Sequence, residues 1–275
     1  MMTTLRKWNL SLPAALSVGL LLVLPVAATF ATTFTQPAGV FAPYLAFFNS
    51  GFRRTVLWRT VEVAIVTTIL SLVIGFLTAY VISKMPGKAK SVMIVAAVFP
   101  LLTGVVVRSF AWMIILGKNG ILNDFLMWTG AIAAPLPMLY SEGAVIVAMV
   151  YLFVPLMILT LVGVLDNIPK DVIEASISLG ASPASTFRQV ILPLSVPGLI
   201  VGAVLVFTGS FTSYATPQLL GGERQMMMGT FLYQRAMVTF DWVGASTIAA
   251  IMVAVTVVLV LVMGRIARKL NPMAV

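Results

Sequence analysis

The feature that most constrains this chain is a run of about 20 apolar residues, the length needed to cross a bilayer core. Such runs occur six times along the 275 residues. Only 9% of the residues are charged, whereas soluble globular chains carry about 25%, so too few charges remain to cover a surface in water. The sequence therefore predicts one all-α integral membrane domain over residues 1–275, with spans at 10–34, 60–82, 92–116, 144–165, 197–213 and 246–264.

The chain contains no cysteine and no histidine. Without cysteine it cannot form a disulfide, a thiolate nucleophile or a cysteine-bound metal centre. Without histidine it also lacks the commonest general base and metal ligand. We therefore expect no catalytic residue, no metal site and no cofactor bound by this chain itself.

The charged residues predict an orientation. A net charge of +9 would indicate nucleic acid as a partner of a soluble protein, but lysine and arginine accumulate in the cytoplasmic loops of membrane proteins. The loops on one side of the predicted spans hold ten of these residues, and the loops on the other side hold six. We expect both termini in the cytoplasm and no nucleic-acid partner.

The predicted loop at 166–196 is too long for a simple connection between membrane helices, and it contains helix signals. Asn167 is expected to cap a short helix at its start, and Gly180 is expected to end that helix in the left-handed conformation. Ser182, followed by a proline, is expected to cap a second short helix. The loop should thus form two short helices joined by a bend at Gly180.

A solvated linker would not need the apolar residues of the first short helix. They predict a face that packs either on the chain's own inner surface or on a partner, and the sequence leaves both alternatives open. Pro193 and Pro197 are expected to stop the second helix near residue 192, before the fifth span. The apolar residues are Val172, Ile173, Ile177 and Leu179.

The loop contains Glu174-Ala175-Ser176, then Gly180, then Val190-Ile191-Leu192-Pro193. This pattern resembles the corresponding loop of ABC importer permeases, which reads E-A-A, three residues, G, nine residues, then I-x-L-P. The spacing matches in full, with Ser for the second Ala and Val for the first Ile. The resemblance implies that the loop is a coupling helix, seated in a cleft on a separate ATPase subunit. Glu174 would offer its carboxylate to a basic group of that subunit or would cap its own helix. The matching residues are Glu174, Ala175, Ser176, Gly180, Val190, Leu192 and Pro193.

Two further stretches resemble the spermidine/putrescine-type permeases, at 107–120 and at 214–229. This resemblance implies a permease subunit of a binding-protein-dependent importer in the bacterial cytoplasmic membrane, carrying polyamines or a related small organic solute. It implies two copies of an ATPase subunit, a second and different permease, an extracytoplasmic solute-binding protein and membrane lipid as partners. The chain has no G-x-x-x-x-G-K-[ST] phosphate loop, so ATP and Mg²⁺ are expected on the ATPase subunits.

Ionisable and aromatic residues at membrane depth are candidates for the translocation path. Glu62 and Arg108 are the ionisable residues within the predicted spans, and they could instead pair with each other for a purely structural purpose. Trp112 and Tyr214 offer aromatic faces to a cationic solute. All four are candidate path residues.

Two other classes of membrane protein fit the sequence less well. A self-sufficient secondary transporter tends to show an inverted repeat and buried acidic residues, whereas this sequence shows no long repeat and a single acidic residue, Glu62, within its spans. An enzyme acting on lipid would need a cluster of catalytic groups, which eight scattered carboxylates without histidine or cysteine do not supply. The sequence favours the importer permease, with the secondary transporter as the alternative.

Overall fold

The computed structural model describes residues 2–34 and 39–270, and in these ranges the chain is helical and contains no strand. Within them, six segments are long and apolar enough to cross a membrane, which confirms the predicted class. These segments are Leu16–Thr33, Gly51–Ser83, Val105–Trp128, Glu142–Asp166, Pro183–Phe211 and Trp242–Ile266.

Two π-helical turns, Phe187–Ile191 and Gln234–Val238, interrupt the α-helices. The α-helices, numbered in chain order, are α1 (Met2–Phe34), α2 (Ala42–Asn49), α3 (Gly51–Ser83), α4 (Gly87–Leu102), α5 (Val105–Leu116), α6 (Ile121–Trp128), α7 (Glu142–Asp166), α8 (Lys170–Ser178), α9 (Pro183–Thr186), α10 (Leu192–Phe211), α11 (Ala215–Leu220), α12 (Met228–Tyr233) and α13 (Trp242–Leu270).

The chain forms two compact units. The first comprises Met1–Thr55 and Phe231–Ala254, and the second comprises Val56–Thr230 and Val255–Val275. In the first unit, Phe52 packs edge-to-face on Phe231 with ring centroids 5.8 Å apart. The second unit contains the segment between α7 and α10, where the sequence predicts the coupling helix.

The second unit has two buried apolar clusters, both built around α7. One includes Phe76, Met157 and Leu161, and the other includes Val63 and Met149. A Cβ on Gly75 would lie 2.5 Å from Met157 Cγ, and a Cβ on Gly202 would collide with the sulfur of the same methionine. Glycine therefore allows α3 and α10 to approach α7 closely at this level.

The third apolar run differs from the single span predicted at 92–116. The chain leaves the helical conformation at Thr103 and Gly104, where ψ is 136° and 143°, so that α4 ends and α5 begins. Pro100, inside α4, has no N–H to donate to the preceding turn and weakens the helix near its end. The run is therefore two helices, and the membrane-spanning segment continues through α6 to Trp128.

The prediction that Pro193 and Pro197 stop a short helix before the fifth span is wrong. The π-helical turn Phe187–Ile191 leads directly from α9 into α10. Pro193 lies in the first turn of α10, where a missing N–H is tolerated, and Pro197 lies farther inside the helix. The second short helix is thus continuous with the fifth membrane-spanning helix.

Candidate functional site

Helix α8 begins without a side-chain cap. Its N-cap residue is Pro169, which makes no capping hydrogen bond. Asn167 instead follows the end of α7, where its Nδ2 donates to the carbonyl oxygen of Gly163 at 2.7 Å. Helix ends leave carbonyl groups without partners, and Asn167 satisfies one of those of α7. The prediction that Asn167 caps α8 is therefore wrong.

The bend after α8 is a Schellman motif centred on Gly180, which has φ of +83°. The Gly180 N–H donates to the carbonyl of Ile177 at 2.9 Å, and the Ala181 N–H donates to that of Ser176 at 3.2 Å. A Cβ at Gly180 would meet no atom within 4 Å. Glycine is needed here for its backbone conformation and not for space, which confirms the predicted left-handed helix end.

The second short helix begins as predicted. Ser182 Oγ accepts a hydrogen bond from the N–H of Ser185 at 3.3 Å, and Pro183 occupies the first turn. The hydroxyl groups of Ser176 and Thr186 lie 3.1 Å apart. This hydrogen bond joins α8 to α9 across the bend.

One face of this segment packs on the membrane-spanning helices. Ile173, Phe187 and Leu192 contact the buried cluster that contains Phe76 and Leu161. The Phe187 ring lies edge-on to Phe76, with centroids 5.8 Å apart. The predicted apolar face is thus divided, and Ile173 belongs to the part that packs on the chain itself.

Three other apolar residues of the segment are exposed: Val172, Ile177 and Leu179. Because the sequence resemblance predicts a coupling helix here, we call them the coupling surface. Leu179, directly before the bend, is 88% exposed, and Ile177 is 57% exposed. Exposed apolar side chains on a helix outside the membrane-spanning segments are candidates for an interaction site. Glu174 and Ala175 are also exposed on α8. The apolar residues are recognisable in the sequence, but the sequence does not show that Leu179 is exposed whereas Ile173 packs inward.

The last part of the motif lies where the segment joins α10. Val190 and Leu192 are half-buried, Ile191 is buried, and Pro193 is exposed. Leu192 packs against the same buried cluster as Ile173. These residues attach the bend to the fifth membrane-spanning helix.

An ion pair missed from the sequence lies beside this segment. Lys90 Nζ is 2.5 Å from Asp166 Oδ2, so the start of α4 is linked to the end of α7. The two residues are 76 positions apart, and no local pattern predicts their contact.

Arg108 has a structural environment on α5. It is 7% exposed, and its Nη1 donates to the carbonyl oxygens of Pro100 at 2.6 Å and Thr103 at 3.3 Å. These carbonyls lie at the break where α4 ends. Glu62 is exposed on α3, and among the residues that the structure describes no ion pair joins it to Arg108. The alternative in which Glu62 and Arg108 pair is therefore wrong.

We expect Arg108→Ala to lower the unfolding free energy by about 1.5–3 kcal/mol, because charged hydrogen bonds to two carbonyls are lost. Thermal unfolding of the purified chain in detergent measures the effect. Arg188→Ala, at an exposed position, is the control and should change stability by less than about 0.5 kcal/mol. Equal melting temperatures for both variants would show that Arg108 does not support the break.

The remaining path candidates lie on separate elements. Trp112 is half-buried on α5, with its ring edge-on to Tyr151 at a centroid distance of 5.6 Å. Tyr214 is half-buried at the N-cap position of α11. The four candidates therefore come from three helices of the second unit, α3, α5 and α11.

A second polar network missed from the sequence surrounds Arg59. Its Nε donates to Glu142 Oε1 at 2.7 Å, and its Nη1 donates to the carbonyl oxygens of Arg224 at 3.0 Å and Met226 at 3.4 Å. One guanidinium thus links α3, the start of α7 and the loop between α11 and α12. The sequence does not reveal this network, because the partners of Arg59 are distant along the chain.

The described residues combine six candidate membrane-spanning segments with a two-helix bend that leads into the fifth. Solved structures share the fold. The bacterial alginate ABC transporter in complex with alginate pentasaccharide-bound periplasmic protein matches with a TM-score of 0.82 and 17% identity, over 98% of this chain and 97% of that chain. The MetNI methionine ABC transporter matches with a TM-score of 0.62 and 21% identity, over 80% of this chain and 99% of that chain.

Residues 9–273 match the binding-protein-dependent transport system inner membrane component family, and the chain belongs to this family. It is 30% identical over 216 residues to the spermidine/putrescine transport system permease protein PotB of Escherichia coli K12, covering 78% of each chain. It is 31% identical over 228 residues to PotB of Haemophilus influenzae, covering 83% of this chain and 79% of the relative. The chain is thus a multi-pass inner-membrane permease subunit of an ABC importer, a transport component as predicted.

Proposed function

We propose that this chain is one of two different permease subunits of an importer for polyamines or related small organic cations. The two PotB relatives named for spermidine and putrescine support this substrate class. Residues 1–275 act as one transmembrane domain, with both termini in the cytoplasm, where the loops hold the excess of lysine and arginine. A solute-binding protein delivers the substrate on the opposite side.

The observation that carries the coupling proposal is the exposed coupling surface on a segment that is otherwise fixed to the membrane-spanning helices. Leu179 and Ile177 insert into a cleft on an ATPase subunit, of which two copies bind ATP and Mg²⁺. Ile173 holds α8 against the buried cluster, and α9 continues into α10. Movement of the ATPase is therefore transmitted to the spans as a rigid-body displacement.

Glu174 interacts with a basic group of the ATPase in this proposal. It is the fifth residue of α8 and lies beyond the first turn. A carboxylate stabilises the start of a helix when it lies within the first turn. Its side chain is exposed, and it makes no hydrogen bond or ion pair within the described parts of the chain. The capping alternative is therefore the less favoured one.

Glu62 faces the translocation path between the two permease subunits. A carboxylate exposed to lipid in a membrane-spanning helix costs about 2.5–3.5 kcal/mol, and this cost is avoided when a second permease covers it. Two other outer carboxylates are occupied, because Glu142 pairs with Arg59 and Asp241 pairs with Arg235. Glu62, by contrast, is exposed and has no ion-pair partner among the described residues, so its carboxylate is available to a cationic solute.

We expect Glu62→Gln to reduce polyamine uptake about five- to tenfold, since it removes one attractive charge from the path. Initial rates of radiolabelled putrescine and spermidine uptake in cells measure this. Asp124→Asn, at an exposed carboxylate on α6, is the matched control and should leave uptake within twofold. Uptake that is unchanged in Glu62→Gln, or equally reduced in the control, would remove Glu62 from the path.

The test of the proposed function is uptake that depends on a partner ATPase. The tagged chain is purified in mild detergent from its own host, and co-purifying proteins are identified by mass spectrometry and assayed for ATP hydrolysis. We expect an ATPase in the complex and polyamine uptake that vanadate inhibits. A chain that purifies alone and supports uptake sensitive only to an uncoupler would instead indicate the secondary transporter.

A further inference from the structure

A cavity of about 570 Å³ lies beside the segment between α7 and α10 in the second unit. It is formed by the end of α3, the start of α4, the end of α7 and the start of α8. Its floor includes Leu165 and Ile191, which are 8% and 5% exposed. Since α3 and α7 are candidate membrane-spanning helices that end here, a bilayer crossed by these helices would place its headgroups at the cavity.

The walls of this cavity are basic. Lys84, Lys90 and Lys170 line it together with one carboxylate, Asp166, so the lining carries two positive charges in excess. Asp166 is engaged by Lys90, and Lys84 Nζ lies 4.2 Å from the centroid of the Tyr80 ring. Among the described residues, neither Lys84 nor Lys170 has an ion-pair partner.

We propose that this cavity binds the phosphodiester headgroup of an anionic phospholipid such as phosphatidylglycerol. Lys84 and Lys170 contact the phosphate oxygens, because their ammonium groups are the ones without a carboxylate partner. Basic pockets at the ends of membrane helices bind anionic headgroups in this way. The apolar floor and the ends of two membrane-spanning helices favour a lipid over a free phosphate ion, which would gain nothing from Leu165 and Ile191.

A headgroup in this cavity would link the segment between α7 and α10 to the turn between α3 and α4. Lys170 is the first residue of α8, and Ile173 of the same helix also lines the cavity. Lys84 follows α3 directly. The lipid therefore bridges a membrane-spanning helix and the element that carries the coupling surface, and it supplements the Lys90–Asp166 pair.

The test is lipid binding to the purified full-length chain, measured by native mass spectrometry with phosphatidylglycerol and phosphatidylcholine of identical acyl chains. We expect the chain to prefer phosphatidylglycerol. K84Q and K170Q should each weaken its binding about fivefold, and the double variant about 25-fold, as expected for the loss of surface cations. Binding of phosphatidylcholine should not change.

The control is K88Q/K269Q, which removes two exposed lysines that do not line the cavity. It should keep phosphatidylglycerol affinity within twofold, as should K84R/K170R, which retains both charges. Gel filtration and circular dichroism establish whether each variant is folded. If the double variant is not folded, the two single variants test the site. Equal losses in K84Q/K170Q and K88Q/K269Q would overturn the proposal. Displacement of the lipid by millimolar inorganic phosphate would overturn the lipid assignment.

Discussion

Leu179→Asp is expected to abolish polyamine uptake and the recovery of the ATPase with the chain, while the chain itself remains folded in the membrane. Leu179 is 88% exposed at the end of α8, so a carboxylate there remains solvated in the isolated chain. Buried in an apolar cleft of a partner, the same carboxylate would lose its hydration without gaining an ion pair. Uptake rates and ATPase co-purification from equal amounts of membrane protein measure the effect.

Leu179→Met is the control, because it conserves side-chain volume and apolar character. It should retain at least half of the wild-type uptake and bring down the ATPase. Wild-type uptake in Leu179→Asp would contradict the proposed contact. So would loss of the aspartate variant from the membrane, since it would assign Leu179 a role in folding.

Replacements of Gly180 are expected to reduce uptake least with Asn, more with Ala and most with Val. Uptake by Gly180→Val should be at least tenfold below wild type. The φ of +83° costs an L-residue about 1–2 kcal/mol, Asn tolerates the left-handed region better, and a β-branched side chain tolerates it least. No atom lies within 4 Å of a Cβ at this position, so the effect is one of conformation alone. Uptake and ATPase co-purification of each variant provide the measurement.

The matched control for this series is Gly163→Ala. A Cβ added at Gly163 would also meet no atom within 4 Å, but this glycine lies in helical backbone inside α7, where alanine is favoured. Uptake should be unchanged in that variant. An equal effect of alanine at both glycines would show that the bend does not depend on the left-handed conformation of Gly180.

Local signals in the sequence were sufficient for the number of membrane-spanning segments, the left-handed Gly180 and the Ser182 cap, but not for the bounds of the third segment. Each depends on the composition of one stretch or on the chemistry of one turn. Asn167 shows the limit of such signals, because it can satisfy the end of α7 or the start of α8, and the actual length of α7 decides between them. Pro193 is similar, since a proline that stops one helix can equally occupy the first turn of the next.

Contacts between residues that are far apart along the chain could not be predicted from the sequence. Lys90 and Asp166 are 76 positions apart, and Arg59 and Glu142 are 83 apart, so their pairing depends on how the helices pack. The segment between α7 and α10 illustrates the same limit at shorter range. Its apolar residues were recognisable, but only tertiary packing turns Ile173 inward and leaves Leu179 exposed.

The most direct measurement is cross-linking from a single cysteine in the assembled importer. The chain has no cysteine, so Leu179→Cys introduces a unique thiol, and Trp128→Cys, at an 82% exposed residue of α6, provides the control. A short thiol-reactive cross-linker is applied to native membranes, and the captured protein is identified by mass spectrometry. We predict that Leu179→Cys captures the ATPase subunit and that Trp128→Cys does not. Equal capture from both positions, or labelling of the Leu179→Cys thiol by a membrane-impermeant reagent on the extracytoplasmic side, would contradict the proposed coupling.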